Sequence, residues 1–182
     1  MPNNPYTDFA AVQNREMFFG REELLLTLFN ACDKGQCFAL QGTRRSGKSS
    51  LLKFLQSPEL QEELGVATML SKQILVFVSM RDYVGSPSEE DFFCDVYRNI
   101  VRLAAPYYNC AQQEEPGKKW SKLFRDCLQD LQNAGYHVVL LLDAFDKVVD
   151  EPQFKPQFFS ALRADAEKLL ISYITTSIHP LH

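Results

Sequence analysis

An α/β fold, a parallel sheet with helices on both faces, is predicted by three features of this 182-residue sequence. Four short apolar runs (37–40, 73–79, 138–142 and 170–176) lack the polar alternation of a half-exposed sheet, as suits strands buried on both faces. Segments with apolar residues at helical spacing separate the runs. Third, Gly42-Thr43-Arg44-Arg45-Ser46-Gly47-Lys48-Ser49 fits G-x-x-x-x-G-K-[ST] at every fixed position and lies between the first run and a helical segment, the context that a phosphate-binding loop requires.

Taken in order, residues 1–16 are polar, carry Pro2 and Pro5, and read as an irregular lead-in to one domain spanning 17–182. Leu24, Leu25, Leu28, Phe29 and Cys32 share a helix face that stops near Gly35. The run Cys37-Phe38-Ala39-Leu40 is the first strand, and Ser50 to Leu55 continue a helix out of the loop until Ser57-Pro58 breaks it. Gln73 to Ser79 form the second strand. Ser86-Pro87-Ser88-Glu89-Glu90-Asp91 is a helix start with an N-cap and an acidic first turn, and Phe92, Phe93, Val96, Ile100, Leu103 and Ala104 supply its apolar stripe. A polar loop from Asn109 to Lys119 leads to a helix marked by Trp120, Leu123, Phe124, Cys127, Leu128 and Leu131, which ends at Gly135. Val138 to Leu142 run straight into Asp143. Phe154, Phe158, Phe159 and Leu162 have helical spacing, and Leu170 to Thr176 close the pattern as a fourth strand.

The loop's residue types state its chemistry. Gly42 and Gly47 allow positive φ and close backbone approach, so that N–H groups converge on a phosphate at the positive end of the following helix. Lys48 would reach the β- and γ-phosphates of a triphosphate, and the Ser49 hydroxyl would ligate Mg²⁺. Asp143, at the end of an apolar strand, is the expected second metal ligand opposite Ser49. The next residue, Ala144, carries no proton acceptor, so hydrolysis would rely on Asp146 or on some other group, or be very slow. Asp146 has an alternative role in capping the helix or pairing with Lys147, and the sequence leaves both open.

Composition narrows the partners. A net charge of −4 offers no global attraction to nucleic acid or to an anionic membrane. Arg44, Arg45, Lys48 and Lys53 form the one basic cluster, and phosphate binding accounts for it. Five cysteines without a C-x-x-C pair indicate neither a disulfide framework nor a structural zinc site. The chain shows no secretory signal pattern and no apolar stretch near the ~20 residues a membrane helix needs, and the expected setting is cytoplasmic.

Four boxes occur in order: Phe18-Phe19-Gly20-Arg21-Glu22, the loop 42–49 followed by Ser50-Leu51-Leu52, then Leu140-Leu141-Leu142-Asp143-Ala144-Phe145-Asp146-Lys147, then Tyr173-Ile174-Thr175-Thr176-Ser177. Over nearly its whole length the chain resembles the AAA-like ATPase domain of the STAND class of P-loop signalling NTPases. The resemblance implies ATP or ADP with Mg²⁺ as cofactors. It implies Phe19, Gly20 and Arg21 near adenine and ribose, and contacts to the nucleotide from 42–50, Ser50 included. Thr176 would occupy a sensor position that tests for the γ-phosphate. Such proteins are molecular switches, so protein partners or further domains of the same protein are implied.

Three departures accompany it. Ala144 stands where a Glu is usual, Ile178 and His179 stand where a basic residue is usual, and the chain stops at His182, before the fifth strand and helical lid of that fold. Without the fifth strand the P-loop strand is expected at a sheet edge, with self-association into homo-oligomers as its hazard. The expected function is an ATP-binding switch domain with weak or absent hydrolysis. The alternatives are an active P-loop ATPase or small-molecule kinase, and a nucleotide-independent interaction module.

Overall fold

Four strands, β1 (Phe38–Gln41), β2 (Gln73–Ser79), β3 (His137–Asp143) and β4 (Ile171–Ser177), pair in parallel in the order β1-β4-β3-β2. The architecture comes from a computed structural model that describes residues 21–108, 117–168 and 170–178. The order brings the carboxyl ends of β1, β4 and β3 side by side, the place where open parallel sheets bind ligands.

The unbroken apolar runs feed two cores because successive side chains leave a strand on opposite faces. Val138, Leu140 and Leu142 of β3 join one hydrophobic cluster, and Val139 and Leu141 join the other. On the first face lie α4 (Glu89–Ala104), α5 (Trp120–Asn133) and α6 (Pro156–Glu167), through Phe92, Val96, Leu123, Phe124, Phe158 and Leu162. Rings dominate there. Phe158 meets Phe92, Phe93, Phe154 and Phe159 edge-on, with centroids 4.8–5.7 Å apart. The opposite face takes α1 (Glu22–Asp33), α2 (Lys48–Leu55) and α3 (Pro58–Glu63), through Leu25, Leu28, Phe29, Leu51, Leu52, Leu55 and Leu60. Each fully buried Leu or Phe contributes about 1.5–3 kcal/mol. Cys32 belongs to this second core, and burial pushes its thiol up to about 12, which suppresses the reactive thiolate.

The structure sharpens or shifts several boundaries of the sequence reading for local reasons. Ser57-Pro58 does end α2, but it also starts α3: the Ser57 hydroxyl accepts the Leu60 N–H, and Pro58 fits the first turn. The N-cap of α4 is Ser88, in a reciprocal capping box with Asp91. Phe154 packs ahead of α6, because Pro156 sets that helix's first turn with Lys155 as N-cap. His137 begins β3, opposite Gln73 in the register. The lead-in 1–16 and most of the loop predicted at 109–119 lie outside the described residues.

Among the described residues β1 pairs only with β4, so the P-loop strand does lie at an edge. At the other edge Gln56 Nε2 donates to Leu75 O at 2.7 Å and covers an outward-facing carbonyl of β2.

Candidate functional site

The loop between β1 and α2 curls because Arg45 and Gly47 both take positive φ, 61° and 80°, and Gly47 is the N-cap of α2. Such left-handed turns direct backbone N–H groups toward one point. Glycine is required at position 47 for its φ, whereas at position 42, where φ is not positive, a side chain presses on the Ser46 hydroxyl. A Cβ on Gly42 would stand 3.0 Å from Ser46 Oγ, and one on Gly47 would stand 3.3 Å from Arg21 Nη1 while its φ disfavours any side chain. Gly42 N–H donates to Ser177 O at 3.2 Å, which ties the start of the loop to the end of β4.

Lys48 folds back over this loop. Its ammonium donates to Gly42 O at 2.6 Å, to Thr43 O at 2.9 Å and to Ser46 Oγ at 3.3 Å. Burial lowers its pKa, Asp143 and Asp146 pull it back up, and the charges of Arg21 and Arg81 lower it again. Five ionic groups from separate parts of the chain therefore share one local field.

Asp143 is the hub. Its side chain is almost fully buried, and the Ser49 hydroxyl lies 2.8 Å from both carboxylate oxygens. The Thr176 hydroxyl donates to Asp143 Oδ1 at 2.7 Å and accepts the Ala144 N–H at 2.8 Å. Thr176, predicted to be a sensor, is wholly buried behind the carboxylate and acts on it directly. Ala144, at φ 56° and ψ 46°, is left-handed and turns the chain out of β3 into a short 3-10 turn, Phe145–Lys147. In that turn Asp146 Oδ1 is buried without a hydrogen-bond partner among the described residues.

Of the other predicted residues, Thr43, Arg44 and Arg45 are exposed on the loop and Ser50 is buried in the first turn of α2. Arg21 is placed with its guanidinium against Gly47, beside the phosphate loop. Phe19 and Gly20 lie outside the described residues. Lys53, from the basic cluster, turns away and lies over the Phe77 ring, 5.8 Å from its centroid. His137, half-buried, shares a 2.7 Å hydrogen bond with Ser172. The sequence reading overlooked Arg81, two residues beyond β2. The rule that ligands gather at the carboxyl ends of strands singles out such a charge, but only once β2 is known to neighbour β3.

The donor set suits a hard cation: one hydroxyl and one carboxylate face each other at hydrogen-bond distance. Among the described residues no group of three or more His, Cys, Asp or Glu could hold a metal ion, so the remaining ligands of such an ion would come from phosphate and water. Among the described residues, too, no helix is long and apolar enough to cross a membrane.

A sequence model of the family described as Novel STAND NTPase 1 matches residues 5–177. The chain is similar in structure to the Aeropyrum pernix ORC2 protein solved in ADPNP-ADP complexes, with TM-score 0.62, 16% identity, and coverage of 88% of this chain and 42% of that one. It is similar as well to the Walker-type ATPase PABY2304 of Pyrococcus abyssi, with TM-score 0.61, 17% identity, and coverage of 93% and 48%. Cdc6p from Pyrobaculum aerophilum matches with TM-score 0.57, 17% identity, and coverage of 96% and 42%. At these identities the likeness is one of fold, and the chain spans less than half the length of each of these structures. No relative is found among curated proteins.

Proposed function

The chain belongs to the Novel STAND NTPase 1 family and forms a P-loop NTPase-like nucleotide-binding domain of STAND type, and from that premise we propose that it binds ATP or ADP with Mg²⁺ as a switch, with weak or absent hydrolysis. The observation that carries the proposal is the convergence on Asp143 of Ser49 from the loop helix and Thr176 from β4, directly below the Lys48 loop.

In this reading the loop 42–49 cradles the phosphates, and Lys48 leaves the Gly42 and Thr43 carbonyls for the more strongly attracting phosphate oxygens. Arg21, against Gly47, adds charge from the same side. Ser49 and Asp143 hold Mg²⁺, which neutralises phosphate charge. Thr176 acts through Asp143 as a positioning residue.

The weak hydrolysis follows from Ala144. Its methyl offers no base, and its N–H is already engaged by Thr176. Any residual turnover falls to Asp146, whose carboxylate acts on the Lys48 ammonium. ADPNP and ADP are the ligands named for the Aeropyrum pernix relative, which favours adenine here. Changes in nucleotide state would be transmitted to protein partners or to further domains of the same protein.

Calorimetric titration with ATP and Mg²⁺ tests the proposal. Saturable binding that Lys48→Ala abolishes is expected, with little phosphate released over the same period. Absence of saturable binding, or undiminished binding to Lys48→Ala, would overturn it.

A further inference from the structure

We infer that Arg81 is a ligand of the terminal phosphate, which it reaches from the strand beyond Asp143, and that it sets the preference for a triphosphate over a diphosphate. The inference rests on the proposed nucleotide site and adds a residue to it from a separate part of the chain.

Register gives the placement. Ser79, the last residue of β2, is level with Asp143, the last residue of β3, so Arg81 stands just past the same rim as Ala144 and Phe145. Adjacent strands are about 4.8 Å apart, a lateral gap within the span of an arginine side chain. The short 3-10 turn Met80–Tyr83 that carries Arg81 lies against the turn Phe145–Lys147 that carries Asp146.

The backbone under Arg81 is firmly held. Met80 is fully buried, and Tyr83 is buried with its hydroxyl donating to Asp95 Oδ2 at 3.0 Å. Gln153 Nε2 donates to Tyr83 O at 3.2 Å, and Val84 N–H closes the turn on Arg81 O at 3.3 Å. Between these anchors the Arg81 side chain is exposed and makes no hydrogen bond or ion pair among the described residues. Arg125, by contrast, is bound to Asp165, Arg102 to Asn99, and Arg98 lies over Trp120, while the similarly exposed Arg44 and Arg163 lie away from the end of β2 on the loop and on α6. A rigid base with an uncommitted guanidinium is preorganised for an anionic ligand.

Charge supplies the reason for one. Two carboxylates, Asp143 at the end of β3 and Asp146 in the turn that follows, stand at this rim. Asp143 has two hydroxyl partners, whereas Asp146 has a buried oxygen with none. A phosphate reaching beyond Lys48 toward that side meets like charge. The end of β4, Thr176-Ser177-Ile178, offers no cation to offset it. Two cations stand on that side, Lys147 in the same turn as Asp146 and Arg81 on the facing turn Met80–Tyr83, and only Arg81 comes from beyond β2 with a long exposed side chain on a firmly held backbone. The α- and β-phosphates lie nearer the loop, so a contact from β2 falls on the γ-phosphate.

The test compares ATP and ADP affinities, each with Mg²⁺, for the full chain and for Arg81→Ala and Arg81→Lys. Arg81→Ala is expected to weaken ATP binding by about tenfold or more while ADP binding changes by less than about twofold, as loss of one charge-assisted contact implies. Arg81→Lys should recover part of the loss. Since the side chain is exposed, all forms should melt together without nucleotide. Equal losses for ATP and ADP, or an unchanged ATP affinity, would overturn the inference. Failure of the unaltered chain to bind either nucleotide, or binding that survives Lys48→Ala, would instead strike at the site itself.

Discussion

Replacing Thr176 by Val keeps the shape of the side chain and removes only its hydroxyl, so it isolates what that hydroxyl does for Asp143. Two hydrogen bonds vanish, the 2.7 Å donation to Asp143 Oδ1 and the 2.8 Å acceptance from Ala144 N–H, at a position with 0% exposure. Leaving the Ala144 N–H buried and unpaired costs about 1–3 kcal/mol, and a bond to a charged group contributes about 1.5–3 kcal/mol. Because Ser49 still serves the carboxylate, the two losses overlap, and we expect a net destabilisation of about 3 kcal/mol. For a chain of this size that lowers the melting temperature by about 6–12 °C. Thr176→Ser is the control. It keeps the hydroxyl and deletes one methyl, worth about 1 kcal/mol or about 2–4 °C. Thermal unfolding of the three proteins without nucleotide, repeated in urea to check that the slope is constant, measures the difference. A Val variant within about 3 °C of the unaltered protein, or a Ser variant that falls as far as Val, would show that the hydroxyl does not hold Asp143.

The remaining predictions concern parts of the fold away from the loop. Arg125 Nε lies 3.0 Å from Asp165 Oδ2, whose side chain is only 4% exposed, so Arg125→Met strands a buried charge. A loss of about 2–3 kcal/mol in urea unfolding is expected, at the lower end because Arg125 is itself partly solvated, and joint replacement of Asp165 by Leu should restore much of it; no loss would remove the pair from the stability account. Burial lowers the pKa of His137 below its ordinary 6.5, so the folded state disfavours the imidazolium. The unfolded chain then binds the proton more readily, and this contribution to stability is present above pH 6.5 and is lost as pH falls through the folded pKa. The stability gap between the unaltered protein and His137→Gln should therefore shift against the unaltered protein on acidification, and a gap constant from pH 7.5 to pH 5 would contradict the linkage, the range being about 1 unit or more either side of the ordinary value.

The parts of this molecule that could be read from sequence are those whose physics is local. A strand buried on both faces must be apolar at every position, which makes β3 and β4 visible, and the loop's chemistry is compressed into consecutive residues from Gly42 to Ser49. Asp143 stands out in the sequence as the acid that closes such a strand, and the structure sets it against Ser49 of the loop helix. Thr176 needed the fold. Nothing in Tyr173-Ile174-Thr175-Thr176 says that the hydroxyl meets Asp143, since that contact depends on β4 lying between β1 and β3. Arg81 is further from view, because β2 is remote from the loop in both sequence and sheet order, and only the parallel register brings its end level with Asp143. Helix α3 was obscured for another reason: Ser-Pro serves equally to stop one helix and to cap the next.

The Asp143 carboxylate joins three elements, Ser49 on α2, Thr176 on β4 and its own strand, and in doing so it sets the terms on which a ligand can bind. A cation taken up between Ser49 and Asp143 competes with a hydrogen bond that already holds α2 to β3, just as phosphates compete with the Gly42 and Thr43 carbonyls for Lys48. Binding free energy is then the excess of the new contacts over these internal ones. Ligand and protein draw on the same few groups, so nucleotide occupancy must alter how α2 is held against β3 and β4. Under the proposed function, that exchange of partners at Ser49 and Lys48 would be the physical basis on which the domain reports the presence of nucleotide.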